Sequence, residues 1–502
     1  MPAAPHRCAL LVVGLLALPT LAQKFVPARE IKHDQPVFYS TALSPQGNLL
    51  VAANPDFREI HLADPHTGKW LRKFALAQAH RVAFLPDGRS LLAVSGRSIV
   101  QMDVTTGKQT QRLAAQPRDL TGLAVHPAGD RFLITNDVGQ LQVHHLATGK
   151  TLRTIAVSES AIHAVDLSAD GTRVVVGCNE GAQVFDLETG KSIAAYQPKR
   201  DAACNSVAFS PDGRTVASGH FGPHLHLWEV RTSQLRRKTQ TSDHLVQRAT
   251  FAPNGQSLAF HWNGFRMKVW DLTRDTTTEV GRRWPNYPHH IHWDRRNRFL
   301  IAALTGWEAH VFRIEASEAP AHKPMRPTSA WETLAKTEGE PAYEAMWSLA
   351  LSEPGRKLLL SKVRERLLAD KEQRERINGW LRDLDAEEFA TREKASAALA
   401  RRREELYPEL QAAHRTTTSL EARRRLQRIL GDGPAPAPRL LPERLQMLRA
   451  IEALEYAATP EADALLEELV KTELPELQGE ARASQQRRKA IRDHKPEGAK
   501  RE

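Results

Sequence analysis

Cysteine is nearly absent, with only Cys8, Cys178 and Cys204 in 502 residues. None of them lies in C-x-x-C or C-x-x-C-H spacing, which excludes a zinc ribbon and a covalently attached haem. A cystine framework cannot hold the fold, and Cys178 and Cys204 are expected as two unpaired, semi-buried thiols. Aromatic residues make up 6% of the chain, too few to suggest a stacking platform for single-stranded nucleic acid. Beyond the N-terminus no segment reaches the ~18 consecutive apolar residues of a membrane helix. The chain also has no nucleophile elbow, no H-E-x-x-H, no paired carboxylates at readable spacing and no glycine-rich dinucleotide loop. No catalytic residue, metal ligand or cofactor is therefore assigned. These absences weigh little against an enzyme whose site is assembled from separate repeats.

What the chain does have is positive charge, and its placement is uneven. The formal net charge is +11. Residues 1–314 hold 36 Lys and Arg against 25 Asp and Glu, whereas residues 315–502 hold 34 of each. The excess is scattered through the N-terminal part rather than gathered into a basic run, so nucleic acid is not the expected partner. The first residues read as a secretory signal: His6 and Arg7 precede an apolar run from Cys8 to Leu18, and Pro19-Thr20-Leu21-Ala22 offers small residues for cleavage after Ala22. A signal spanning 1–22 implies export to a periplasmic or extracellular compartment. A retained N-terminal anchor is the competing reading.

An internal repeat dominates the next 290 or so residues. Tight turns recur at Pro45-Gln46-Gly47, Pro86-Asp87-Gly88, Pro127-Ala128-Gly129, Ala169-Asp170-Gly171, Pro211-Asp212-Gly213, Pro253-Asn254-Gly255 and a degenerate Arg295-Arg296-Asn297, their last residues 41 or 42 positions apart. A period-2 segment such as Ser206-Val207-Ala208-Phe209-Ser210 precedes each turn, and an apolar β-rich run such as Thr215-Val216-Ala217-Ser218-Gly219 follows it. A third strand, for example Leu225-His226-Leu227-Trp228-Glu229-Val230, often ends in a second turn of Thr-Gly-Lys type, after which a polar edge strand follows. The Thr-Gly-Lys sequences are turns and not phosphate-binding loops, since the required earlier glycine is replaced by Phe185 and His144.

This pattern resembles the WD-repeat family, which implies an all-β, seven-bladed propeller over residues 24–314. The dipeptide itself is intact only at Trp270-Asp271, with variants Trp228-Glu229, Phe185-Asp186 and Met102-Asp103. The family's Gly-His pair is largely missing, so its buried His-to-Asp network is not assumed. The seventh unit lacks a fourth strand, and Phe25 to Lys32 lies at the right distance to supply it and close the ring.

After Ile314 the composition turns to Ala, Glu, Arg and Leu. Residues 315–327 read as a linker, 328–430 as an all-α HEAT-like module, 431–438 as a proline-rich break, 439–475 as a helical hairpin and 476–502 as a disordered tail. Within this part, helices are expected at Gly355 to Leu368, Ile377 to Leu384 and Ala386 to Arg403, among others. Phe389-Ala390-Thr391-Arg392-Glu393-Lys394-Ala395 and Leu420-Glu421-Ala422-Arg423-Arg424-Arg425-Leu426 resemble HEAT-type repeats. With the signal and the propeller, the segments around Tyr343 to Ala350 and Leu445 to Glu455 look like the C-terminal module of exported WD-repeat proteins of planctomycete-type bacteria. That resemblance carries no established catalytic residues.

Two groups of residues are candidates for chemistry. Histidines two apart on a strand share a face, so His224 with His226, or His290 with His292, supplies half a metal site, but no acidic or cysteine partner stands at useful spacing. These are read as surface or inter-blade packing residues, like His144-His145. Trp228 and Trp270 occupy the blade-core position. Trp262 and Trp307, with Arg97, Asn136, Phe221 and Arg266 in equivalent loops between second and third strands, are the expected binding rim. The functional expectation is a non-enzymatic scaffold binding an unidentified protein through its propeller face and helical module. The alternative is a hydrolase or lyase acting on an envelope polymer or glycan in the central channel. Acidic residues or histidines converging on that channel would favour the enzyme, and small apolar groups the scaffold.

Overall fold

A computed structural model describes residues 22–34, 39–113, 116–197, 203–240, 245–262, 266–281, 284, 288–304, 308–317, 324–431, 433 and 440–493. Residues 1–21 of the expected signal 1–22, Trp307 and most of the proline-rich break lie outside the described residues. Two compact units emerge, one made of residues 1–325, 336–347 and 486–502 and the other of 326–335 and 348–485.

The first unit contains seven four-stranded antiparallel sheets, over residues 40–75, 79–112, 120–156, 164–196, 204–240, 246–280 and 288–317 with Ala22–Lys32. Their first strands touch one another in sequence all the way round, Ser40–Leu43 closing against Pro288–Trp293, so these strands form the inner ring. The second strands are buried from end to end or nearly so, as in Leu50–Ala53 and Thr215–His220, because each blade packs both faces on its neighbours. Outer strands such as Lys69–Ala75 are mostly exposed, with Phe74 the one buried residue of that strand, as the polar edge of a blade should be. The repeat turns keep a left-handed residue at the same place. Gly47, Gly88, Gly129, Gly171, Gly213 and Gly255 have φ between 64° and 75°, and Asn297 adopts 53° in the degenerate seventh turn.

Ring closure follows the expectation. Ala22–Lys32 pairs antiparallel with Glu308–Ser317, with Phe25 opposite Ile314 and Ile31 opposite Ala309. The register breaks between Pro27 and Arg29, where proline has no N–H to give the ladder. Ile31 is fully buried in a cluster with Leu50, Ala63, Ile301 and Val311, so this strand is anchored by packing as well as by hydrogen bonds.

Residues 336–347 pack on blade five. The Arg236 and Arg237 guanidiniums lie 5.0 and 5.1 Å from the centre of the Tyr343 ring, and a Cβ on Gly339 would come 2.4 Å from the Leu235 carbonyl oxygen. Only glycine permits that approach.

In the second unit, α1 (Pro327–Thr333), α3 (Glu353–Asp383), α4 (Phe389–Ala400), α5 (Tyr407–Thr416), α6 (Leu420–Leu430), α7 (Pro442–Ala457) and α8 (Pro460–Val470) account for most residues, and α2 (Gly339–Leu351) and α9 (Pro475–Asp493) have parts in both units. Ser352, Ser419 and Thr459 cap α3, α6 and α8 by accepting from the N–H three residues on. Leu399, Leu410, Leu426 and Leu430 join one core with Ile377 and Leu384. The α7 helix is buried on nearly all sides; Arg449 donates to the Leu334 carbonyl at 2.9 Å and Gln446 to that of Trp331 at 2.7 Å.

Two sequence expectations are corrected in this half. The segments expected as separate helices at Gly355 to Leu368 and Ile377 to Leu384 are one helix of 31 residues, because the polar stretch between them has no glycine or proline to stop it. Within 476–502, expected to be disordered, α9 runs to Asp493. Leu477, Ala481 and Ser484 form a fully buried stripe at helical spacing, which the Gln, Arg and Lys content around it conceals.

Candidate functional site

Antiparallel pairing puts the start of each inner strand beside the end of the second strand: Ala79 faces Ser95, Leu120 faces Asn136, Cys204 faces His220 and Val246 faces Trp262. The loops between second and third strands and the entrance of the inner ring therefore share one face of the propeller. The expected rim residues other than Trp307 lie on that face, but they do different things. Phe221 is half exposed. Arg97 is exposed and ties blade two to blade three through Asp119 at 2.7 Å. Arg266 pairs with Glu279 of its own blade at 2.9 Å.

Asn136 and Trp262 do not belong to a binding rim. Asn136 is 4% exposed and its side-chain oxygen accepts from the N–H groups of Val138 and Gln140, so it builds the turn. Trp262 is also 4% exposed, because it is the last residue of the strand Ser257–Trp262 and not a loop residue; its ring lies 6.1 Å from Phe260, with the Lys268 ammonium 5.2 Å from its centre.

The inner ring has a layered lining. Five residues before the turn glycine, or Asn297 in the seventh unit, stand Ala42, Ala83, Ala124, Asp166, Ala208, Thr250 and His292, four of them alanine. Two residues nearer the mouth stand Ser40, Arg81, Gly122, Ala164, Ser206, Arg248 and His290. At the mouth small groups thus stand in blades three to five and in blade one, while Arg248, His290 and Arg81 bring bulk at blades six, seven and two. Tyr39, 36% exposed, lies 5.1 Å from the His289 ring, and His289 lies 5.0 Å from His290. His290 stacks on His292 at 5.9 Å, and His292 is held by Thr41 Oγ1 at 2.8 Å. Arg81 spends one donor on the Thr121 carbonyl and another on that of His80. His261, opposite Arg248 in the strand register, is fully buried.

Electrostatics at the entrance run in one direction. Burial and the nearby Arg81 charge bring Arg248 down to about 10. Burial first, then Arg248 and His289, bring His261 to about 3; burial, Arg248 and Arg81 bring His289 to about 4; His290 is held well below its usual value by the same causes. Burial alone lowers His292 to about 4. These rings are neutral at pH 7. Across the ring in blade four, burial raises Asp166 to about 6, although its carboxylate accepts from the N–H groups of Leu167 and of Phe209 in blade five.

Tyr39, Arg81, Arg248 and His261 were missed from the sequence, although aligning the seven turns exposes the two arginines as bulky cations where other blades carry Ser, Gly or Ala. His224 and His226 stand 5.8 Å apart on one face, and His226 stacks on Trp228 at 5.5 Å. His144 is buried and stacks on Phe132 at 5.1 Å, a packing role. Among the described residues no three His, Cys, Asp or Glu side chains are grouped to hold a metal. Cys178 and Cys204 are both buried, free thiols.

The blade-core tryptophans show how far the repeat signature persists. Trp228 donates to Ser218 Oγ at 2.7 Å, and Ser218 in turn bonds His220 Nε2 at 2.7 Å, a buried chain within blade five. In blade six Phe260 stands at the place of Ser218, and Trp270 donates to Asp275 instead at 2.9 Å. The Thr-Gly-Lys sequences are hairpin turns: Gly68, Gly107, Gly149 and Gly190 have φ from 68° to 74°, and Asp64, Asp103 and Asp186 accept from the threonine N–H two residues before the lysine.

Comparison with known proteins agrees with this geometry. Residues 190–229 match the family model described as WD domain, G-beta repeat. The chain is 22% identical over 162 residues to autophagy-related protein 16 of Arabidopsis thaliana, covering 32% of each. It is 27% identical over 139 residues to WD repeat-containing protein SL1-17 of Schistosoma mansoni, covering 27% of this chain and 45% of that protein. Against human pre-mRNA-processing factor 17 it is 27% identical over 230 residues, 43% of this chain and 39% of the relative. The chain spans less than half the length of each of these relatives. A matched repeat in blade five, WD-repeat relatives and seven four-stranded blades together make residues 23–315 a WD40-type seven-bladed β-propeller, followed by helices.

Proposed function

We propose that this protein is a non-enzymatic scaffold that works in an extracytoplasmic compartment and binds a protein partner through the propeller face carrying Phe221, Arg97 and the channel entrance. The observation that carries this reading is the WD40-type ring itself. Its relatives with WD repeats include proteins named for autophagy and pre-mRNA processing, processes that depend on assembling other proteins. The face carries an exposed aromatic, Phe221, and the exposed charge of Arg97, residue types that protein interfaces favour. The helices of the second unit, read as HEAT-like, offer a second surface. Export rests on the N-terminal Cys8 to Leu18 run with its Ala22 cleavage position.

The test compares the intact chain with Phe221→Asp and Arg97→Glu variants as bait for affinity purification. Proteins recovered with the parent and lost with both variants support the face; identical recovery removes it. Fractionation of cells expressing a C-terminally tagged chain tests export, and a cytoplasmic, full-length product would refute it.

The hydrolase or lyase reading has one observation in its favour, the convergence of His289, His290 and His292 on the channel. Against it, burial lowers all three rings, and the Arg248 and Arg81 charges lower His289 and His290 further, so all three are neutral at pH 7. Turnover of an envelope glycan by the purified chain, abolished in His290→Ala, would favour this alternative.

A further inference from the structure

Lys69, Lys108, Lys150 and Lys191 occupy one position of the repeat in blades one to four, at the end of the hairpin between third and fourth strands, and all four are exposed. Third strands run away from the face that carries Phe221 and Arg97, so the four hairpins end together on the opposite face. A lysine on a hairpin is ordinarily just solvated, and a single exposed aliphatic side chain needs no explanation. Here the two occur together at a fixed spacing. Two residues beyond Lys69, Lys150 and Lys191 stand Leu71, Leu152 and Ile193, which are 52%, 49% and 45% exposed, with Thr110 at that place in blade two.

The surroundings keep this edge cationic. The outer strands Lys69–Ala75, Gln109–Arg112, Thr151–Ala156 and Ser192–Tyr196 hold Lys69, Arg72, Lys73, Arg112 and Arg153 but no Asp or Glu. Of the nearby acids, Asp64, Asp103 and Asp186 hold the hairpins through Thr67, Thr106 and Thr189, Glu188 lies 3.6 Å from Arg131, and Glu59 meets Lys73 at 3.0 Å. Asp87, Asp130 and Asp170 of the inner turns stand beside Arg89, Arg131 and Arg173 of the same turns. Neither the lysine nor the aliphatic residue is needed to build a blade, since the equivalent residues are Thr276 and Thr278 in blade six and Gln234 and Arg236 in blade five. In blade five Arg236 is buried and residues 336–347 cover the edge, a Cβ on Gly339 coming 3.1 Å from that of Gln234. The chain thus covers its own edge at blade five, while the cationic and aliphatic edge of blades one to four stays open.

We infer that the propeller docks by this edge on an anionic lipid bilayer, its lysines against the headgroup phosphates and Leu71, Leu152 and Ile193 entering the boundary between headgroups and acyl chains. A bilayer answers both halves of the pattern. It is flat, so hairpins that end on one face reach it together, and it is negative at the surface and apolar beneath, so long lysine stems keep their charge at the headgroups while the aliphatic neighbours sink. Nucleic acid carries the same charge but is bound by exposed rings on which bases stack. The rings of these strands turn inward: Phe74 and Tyr196 are buried, and Trp70 donates to the Lys32 carbonyl at 2.7 Å. This docking does not depend on the scaffold reading, which uses the other face.

The test is co-sedimentation of the full chain with vesicles of phosphatidylcholine containing about one-third phosphatidylglycerol, beside vesicles of phosphatidylcholine alone. Partition onto the anionic vesicles is expected, falling as sodium chloride rises from ~0.1 to ~0.5 M. Lys150→Glu combined with Lys191→Glu is expected to weaken it at least tenfold, and Leu152→Ser combined with Ile193→Ser at least threefold at unchanged charge. Phe221→Asp, on the opposite face, and Arg424→Glu, at an exposed cation of α6, are expected to bind as the parent does. The apolar run Cys8 to Leu18 is common to every variant, and the neutral vesicles report what it contributes. Circular dichroism and melting temperature establish that the variants fold; should a double variant not fold, Lys150→Glu and Leu152→Ser alone carry the comparison. No partition onto anionic vesicles, equal partition of parent and folded edge variants, or an equal loss in Arg424→Glu overturns the proposal. Duplex DNA or poly-glutamate bound more tightly than the vesicles, with no loss in the aliphatic variant, also overturns it and assigns the edge to another polyanion.

Discussion

Arg236 and Glu229 are each 4% exposed by side chain and meet at 3.0 Å, with a second guanidinium nitrogen of Arg236 on Thr215 Oγ1 at 2.9 Å. A buried pair of this kind adds little net stability, but removing one partner strands the other charge. Glu229→Ala is accordingly expected to lower the unfolding free energy by about 3–5 kcal/mol, read from the denaturant midpoint of the full chain. The buried histidines predict a pH dependence. His261 and His226 are depressed to about 3 and His292 to about 4, in each case with burial the largest cause. The unfolded chain, with histidines near 6.5, binds more protons between those values, so their contribution is complete above pH 6.5 and drains away as pH falls toward 4. Denaturant midpoints measured from pH 7.5 to 4 should decline across that window, and a flat profile would contradict the buried neutral rings.

At the scale of the element, the strand Ala22–Lys32 and the helix caps are where short sequences have large effects. Ile31 is wholly buried where the closing strand meets Leu50 and Ile301. Truncation to alanine removes its packing and loosens the ring where its first strand pairs with its last. Ile31→Ala is expected to cost about 2–5 kcal/mol and to quicken proteolysis within 22–32. A surface cap weighs less: Ser419→Ala, which frees the Ala422 N–H at the start of α6, is expected to cost ~1 kcal/mol by thermal melting. The strand that closes the ring could be read from the sequence because a missing fourth strand and a spare β-segment at the other end leave one economical solution. The long α3 and the late α9 could not be read so easily. A helix continues wherever nothing breaks it, and the buried stripe of Leu477, Ala481 and Ser484 is three residues amid charge.

For the molecule as a whole, turn spacing determined the fold. A glycine or asparagine in left-handed conformation every 41 or 42 residues, with period-2 apolar segments on either side, dictates a hairpin at each turn, and seven such units can bury their faces only on one another. The same regularity concealed the site. Trp262 and Asn136 occupy loop-like positions in the sequence, yet inter-blade packing and turn hydrogen bonds claim them. Arg81, Arg248, Tyr39 and His261 are spread over more than 200 residues and gain their meaning only when the ring closes. Chain order and repeat period by themselves determined the number of blades, the hairpins and the closing strand, because those follow from local backbone preference and burial on one period. Which side chains converge at the channel entrance, and which sink between blades, was decided by tertiary structure, because closure alone brings blade one beside blade seven.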